Sequence, residues 1–240
     1  PGLEFGNYAF VVGEYFDQII RSFFYATLAT LLALAISYPI AYFIGVKARN
    51  KPVMQALLLT LVIAPFFISF LLRTFAWKQV FSQDSWLSTL LRDMGLMAEN
   101  EFLLGSSFAV VFGLTYNFIP FMTLPLYTNL ERLDTALLEA GSDLYAKPSS
   151  TFWKVTFPLS IPGITSGTLL TFIPIAGDYV TASGNFLGSP KTAMLGNVIE
   201  VNFIAIQDFP SASALSVMLM AAIVVLVSIY IRRTGTEDLL

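Results

Sequence analysis

In a chain of 240 residues, 56% are hydrophobic, only 12% are charged, and the mean hydropathy is +0.72. A soluble domain is about 25% charged, so this chain lacks the polar surface to cover a globule of its size. Without Cys or His it has no disulfide, no thiolate and none of the commonest metal ligands or general bases.

A net charge of −3 and a pI near 4.9 argue against nucleic acid, and no phosphate-cradling Gly-x4-Gly-Lys-Ser/Thr loop occurs. The composition is that of an integral membrane protein. No catalytic residue and no metal site is expected.

The chain opens on Pro1-Gly2-Leu3 without an initiator Met or a leader with a basic start and apolar core. It reads as a processed or truncated start. Charges then divide the sequence. There are 25 uncharged residues between Arg21 and Lys47, 21 between Lys51 and Arg73, and 29 between Glu101 and Glu131. A further 23 lie between Lys154 and Asp178, and 23 between Asp208 and Arg232. A spanning helix needs about 20 apolar residues. The runs predict an all-α membrane protein with five transmembrane helices, near 22–46, 53–76, 106–128, 160–177 and 211–231.

Segments 47–51, 131–154 and 232–240 hold eight Lys and Arg in 38 residues, whereas 1–21, 73–101 and 178–208 hold five in 81. The denser set is expected in the cytoplasm, which puts the N-terminus outside and the C-terminus inside. An external start without a leader implies a preceding helix and six spans in the native protein. Pro39, Pro65, Pro120, Pro125 and Pro174 lie deep in the runs, where each frees a backbone carbonyl. They predict kinks that shape packing or broken helices along a path. Gly163 and Gly167 form a GxxxG suited to close helix contact.

Within 129–162, Asp134 is placed to cap a short helix with Leu137, Leu138 and Leu144 at helical spacing. Pro148 stops that helix, and a second segment starts near Ser149 or Ser150. Apolar and aromatic residues in a charged loop need a cover, for which another protein is a candidate.

Here the sequence resembles a family. Glu139-Ala140-Gly141 followed by Val155-Thr156-Phe157-Pro158 is similar to the EAA loop of ABC importer permeases, with Gly141 for the second Ala and Tyr145 where Gly is usual. Ser37-Tyr38-Pro39-Ile40-Ala41-Tyr42, Ala64-Pro65-Phe66 with Leu72-Arg73, and Pro120-Phe121-Met122 with Pro125-Leu126-Tyr127 resemble the spermidine/putrescine branch, B-type subunit. Gly177-Asp178-Tyr179-Val180, Leu187-Gly188-Ser189 and Met194-Leu195-Gly196-Asn197-Val198-Ile199 do so too.

The resemblance implies a type I importer permease fold in the bacterial inner membrane, a single domain over 1–240 with a cytoplasmic coupling loop at 129–160. It implies a second permease subunit as heterodimer partner, two cytosolic ATPase subunits that bind ATP and Mg, and an extracytoplasmic binding protein delivering a polyamine. The chain itself would bind no cofactor and hydrolyse nothing. Glu139, Ala140, Gly141, Asp143, Tyr145 and Pro158 are the coupling candidates.

The path candidates are Phe66, Phe67, Tyr116, Asn117, Asp178 and Tyr179, aromatic faces and a carboxylate that suit a polycation. Asp178 is expected at the outer end of the fourth span, facing the cavity between the permeases; as an alternative it marks the membrane boundary. Arg73 is expected to be structural. Alternatives are import of another small solute, an anion or a sugar, and a self-contained secondary transporter, for which intramembrane carboxylates are scarce. A membrane anchor would leave the loop and the prolines unexplained.

Overall fold

The computed structural model describes residues 6–98, 101–134, 136–137 and 147–234. Their regular structure is helical throughout. The elements are α1 Gly6–Glu14, α2 Phe16–Lys47, α3 Pro52–Phe67, α4 Phe70–Val80 and α5 Trp86–Asp93. They continue as α6 Ser107–Glu131, α7 Pro148–Leu159, α8 Ile161–Ala176, α9 Leu195–Ile206 and α10 Phe209–Thr234.

Local chemistry sets the boundaries. Pro52 and Pro148 stand at the first turn of α3 and α7, where a missing N–H costs nothing. Ser85 caps α5 by accepting from the Ser88 N–H. Inside the apolar helices, hydroxyls have no water to bond and turn back on their own backbone. Thr115 donates to Val111 O at 2.7 Å, Thr123 to Ile119 O at 2.8 Å and Thr165 to Ile161 O at 2.9 Å.

Three of the five expected spans are continuous helices, α2, α6 and α10. The run at 53–76 is broken at Ile68-Ser69 into α3 and α4. The fourth run forms α8, bent by 60° from α7. Pro39, Pro120, Pro125 and Pro174 are accommodated inside α2, α6 and α8. In α6, 67% of the most apolar window is buried, against 11% in α10. So α6 is central, and α10 offers most of its apolar surface outward, as a lipid-facing helix would.

The described residues pack as two compact units, whose division falls within α2, α6, α8 and α10. One unit comprises residues within 1–30, 68–117 and 172–226. In it Val11, Leu195, Ala214 and Leu215 form one buried cluster, and Phe81, Ala109 and Leu187 another. Arg21 donates to Ala193 O at 3.1 Å, and Lys78 Nζ to Asn185 O at 2.7 Å. The three segments poor in basic residues are thereby joined.

The other unit comprises residues within 31–67, 118–171 and 227–240. Its core is Ala33, Ala41, Met122, Leu126 and Leu130, with Tyr38, Tyr127 and Ile164 packed against it. The GxxxG of α8 meets α6 here. A Cβ on Gly163 would lie 2.7 Å from Asn129 Cβ and 3.2 Å from Pro125 O; one on Gly167 would lie 3.1 Å from Met122 O. The expected close contact is found, and α6 is its partner. Gly163→Ala should therefore lower the stability of the purified protein by about 1–3 kcal/mol, the usual cost of overpacking. An unchanged melting temperature would show that α6 and α8 have slack at this contact.

Candidate functional site

Of the expected coupling residues, Glu139, Ala140, Gly141, Asp143 and Tyr145 lie outside the described residues; Pro158 lies in α7 and is exposed. On the entry side, the Asp134 carboxylate accepts from the Ala136 N–H at 2.9 Å, as a helix cap would, while Leu138 and Leu144 of the expected helix lie outside the described residues. On the exit side, α7 is fixed to α2 by aromatic contacts. The Phe152 ring meets Tyr38 edge-on at 5.7 Å and Tyr42 at 5.8 Å. Tyr38 Oη and Ser160 Oγ are hydrogen-bonded at 2.9 Å. Beside this anchor Trp153 stands 61% exposed, edge-on to Phe152 and tilted against Phe157.

The same end of the molecule carries a polar cluster that sequence reasoning missed. The last turn of a helix leaves carbonyls without donors, and at the end of α6 they are taken by Arg49. Its Nη1 donates to Leu133 O at 2.9 Å, and its Nη2 to Leu130 O at 3.2 Å and to Glu131 O. Hydrogen bonds to a charged group contribute about 1.5–3 kcal/mol each, and a cation also suits a helix C-terminus. Gln55 Nε2 adds bonds to Glu131 Oε1 at 3.0 Å and Tyr127 Oη at 3.3 Å. Arg49 and Gln55 are 72–84 residues from these partners in sequence, and no local motif signals such a pairing.

The six path candidates separate by environment. Phe66 and Phe67 end α3 at the break, 49% and 84% exposed, with Phe66 edge-on to Phe121 at 5.3 Å. Tyr116 packs on Trp77 at 5.2 Å, and the buried Asn117 donates to Thr74 Oγ1 at 3.3 Å. Both are held in the packing of α4 against α6. Arg73, expected to be structural, is buried there too. Tyr179 is 53% exposed, and its backbone carbonyl accepts from Asn197 Nδ2.

Asp178 has a different occupation from the one expected. It is buried, and its carboxylate accepts from the Thr181 N–H at 2.7 Å, the Thr181 hydroxyl at 3.1 Å and the Ala182 N–H at 3.4 Å. Burial pushes the carboxyl up to about 6, against the pull of these hydrogen bonds. A carboxylate turned into its own loop organises that loop and leaves Tyr179 as the exposed group.

A groove of about 480 Å³ lies between α6 and α8, lined by Pro125, Thr128, Asn129, Arg132, Gly163 and Ser166 among others. The Asn129 Oδ1 is buried there without a hydrogen-bond partner. None of the six path candidates lines it. The signal for it was the Gly163–Gly167 pair, whose missing side chains let the helices meet and leave hollows beside the contact.

The comparisons agree with this architecture. Residues 9–233 match the family described as binding-protein-dependent transport system inner membrane component. The spermidine/putrescine transport system permease protein PotB of Haemophilus influenzae is 35% identical over 227 residues, 94% of this chain and 78% of that protein. PotB of Escherichia coli K12 is 35% identical over 218 residues, 91% of this chain and 78% of that protein. The inner membrane ABC transporter permease protein YdcU of the same organism is 29% identical over 236 residues, 94% of this chain and 74% of that protein.

Among solved structures, a chain of the inward-facing MetNI methionine ABC transporter superimposes with a TM-score of 0.61, covering 91% of each chain at 17% identity. That likeness is one of fold. With the helical architecture, the broken spans and a family match over 9–233 taken together, the chain belongs to the inner membrane components of binding-protein-dependent transport systems.

Proposed function

We propose that this chain is the transmembrane permease subunit of an ATP-driven importer of polyamines, spermidine or putrescine. The observation that carries this reading is 35% identity to PotB over 94% of the chain. A second permease subunit completes the path, two cytosolic ATPase subunits bind ATP and Mg, and an extracytoplasmic protein delivers the substrate. The segment containing Glu139, Ala140, Gly141, Asp143 and Tyr145 docks on the ATPase, with Trp153 and Pro158 beside it. Closure of the ATPase pair on ATP moves this segment, and the permeases alternate between facing inward and outward.

Phe66, Phe67 and Tyr179 present ring faces to the ammonium groups in passage, each contact contributing about 0.5–2 kcal/mol. Contacts of that size hold a polycation without trapping it, as conduction requires. Asp178 supports Tyr179 from behind by ordering the turn at 178–182.

The direct test reconstitutes this chain with both partners and the binding protein in proteoliposomes. Spermidine or putrescine uptake should require ATP, and the polyamine-loaded binding protein should raise ATP hydrolysis. Stimulation by a sugar-binding protein alone would overturn the substrate; ion-driven uptake by the isolated chain would overturn the class.

Topology is tested by single cysteines, which have no native background. Those replacing Lys51, Lys147 and Lys154 should resist an impermeant maleimide in sealed cells, while those replacing Gln83 and Asn185 react. Labelling at position 147 from outside would reverse the proposed orientation.

The turn at Asp178 predicts a pH dependence. Because the folded carboxyl titrates near 6 and an ordinary one at 3.8, ionisation costs stability. The cost is absent below about pH 4 and complete well above about pH 6. The melting temperature of Asp178→Asn relative to wild type should therefore rise from about pH 4 to about pH 7. A flat difference would mean that the carboxyl is solvated.

A further inference from the structure

We infer that Arg49 and Gln55 form a clip joining α3 to the C-terminal end of α6, so that motion entering at residue 134 drags α3 with it. Arg49 is then a positioning residue for coupling between ATP hydrolysis and transport. The inference rests on the reading that the segment after Asp134 docks on the ATPase.

Three observations carry it. First, the cap on α6 is long-range. Orphan carbonyls at a helix end are commonly met by the next residues of the same chain, through a glycine turn or water. Here Leu130, Glu131 and Leu133 all accept from one guanidinium in the connection between α2 and α3, and Leu130 O accepts from the Leu133 N–H at 3.3 Å as well. The planar, five-donor head of Arg suits several carbonyls at once, as the ammonium of Lys does not.

Second, α3 is attached to α6 at both ends. Gln55 in the first turn of α3 bonds Glu131 and Tyr127; at the other end, the Phe66 ring meets Phe121. A helix pinned twice to a neighbour follows that neighbour's displacement.

Third, the end of α2 that leads into the connection is itself packed against α6. At Gly45 the backbone lies so close to α6 that a Cβ would be 3.2 Å from Glu131 N and from Leu130 Cβ. A packed contact of this kind transmits displacement and does not absorb it.

The consequence concerns the break at 68–69. The segment proposed to dock follows α6 in sequence, and α3 ends in the exposed Phe66 and Phe67. The clip therefore gives the ATPase a mechanical connection to these two rings without passing through α7 and α8.

The test uses the complete transporter in proteoliposomes, with Arg49→Ala, Arg49→Lys and Glu139→Ala made separately. Two quantities are read: ATPase subunits retained on purification, and polyamine molecules imported per ATP hydrolysed. Arg49→Ala should retain the ATPase subunits and lower the imported-per-ATP ratio at least fivefold. Arg49→Lys should recover part of the ratio, because an ammonium can still donate to one or two of the carbonyls. If Arg49→Ala does not accumulate in the membrane, Arg49→Gln is read in its place with the same expectation.

A wild-type ratio in the variant lacking the guanidinium would make Arg49 a helix cap and nothing more. Loss of ATPase subunits from it, to the extent seen with Glu139→Ala, would place Arg49 in docking and also overturn the clip. Failure of the underlying reading looks different: Glu139→Ala would keep its ATPase subunits and its uptake, whatever Arg49 did.

Discussion

Lipid offers no hydrogen bonds, so a polar group that this chain takes into its apolar body is costly unless it is answered from within the chain. At the end of α6, in the segments read as cytoplasmic, carbonyls are answered from within the chain as well. Three carbonyls stand at or just past a helix terminus, and one guanidinium answers them from the connection between α2 and α3. Elsewhere the rule is met both within single helices and turns and between elements far apart in sequence. Threonines in α6 and α8 bond their own backbone four residues back, Tyr38 reaches Ser160, and Asp178 gathers donors from its own turn.

These separate solutions place function. Local bonds keep a helix intact and leave it free to move; long-range bonds make two elements move together. The aromatic anchor of α7 on α2 and the Arg49 clip of α3 on α6 both belong to the second kind, and they flank the segment proposed to meet the ATPase. Charge is scarce at 12% of residues. Spending Arg49 on carbonyls and Asp178 on a loop leaves the proposed substrate contacts to ring faces. A polycation met by rings is held by several weak attractions, which suits passage better than one strong one.

Much of this was legible in the sequence because membrane helices follow from composition. The uncharged runs located α2, α6, α8 and α10, and the segment expected to start near Ser149 or Ser150 begins as α7 at Pro148. Charge density grouped 47–51 with 131–154, and the bonds from Arg49 to Leu130, Glu131 and Leu133 join the same stretches. Pro65 signalled a kink or break in the run from 53 to 76, but its place at Ile68-Ser69 and its direction were not legible, because hydropathy is blind to direction. Nor was the burial of Asp178. A carboxylate after 23 uncharged residues looks like one that faces water, and only the fold shows Thr181 and Ala182 N–H groups turned towards it. The Arg49 clip was invisible because its partners are backbone carbonyls, which carry no residue identity.

The central claim is that α3 and the end of α6 behave as one body while the transporter cycles. It is tested most directly by a spin-label distance between cysteines at Lys51 and Arg132, measured in the complete transporter in lipid. The distance distribution should be narrow and should stay in place between the nucleotide-free state and the ADP–vanadate-trapped state, and it should broaden when Arg49 is replaced by Ala. A shift between the two states in the otherwise wild-type protein would show that α3 and α6 separate during the cycle, and would contradict the account.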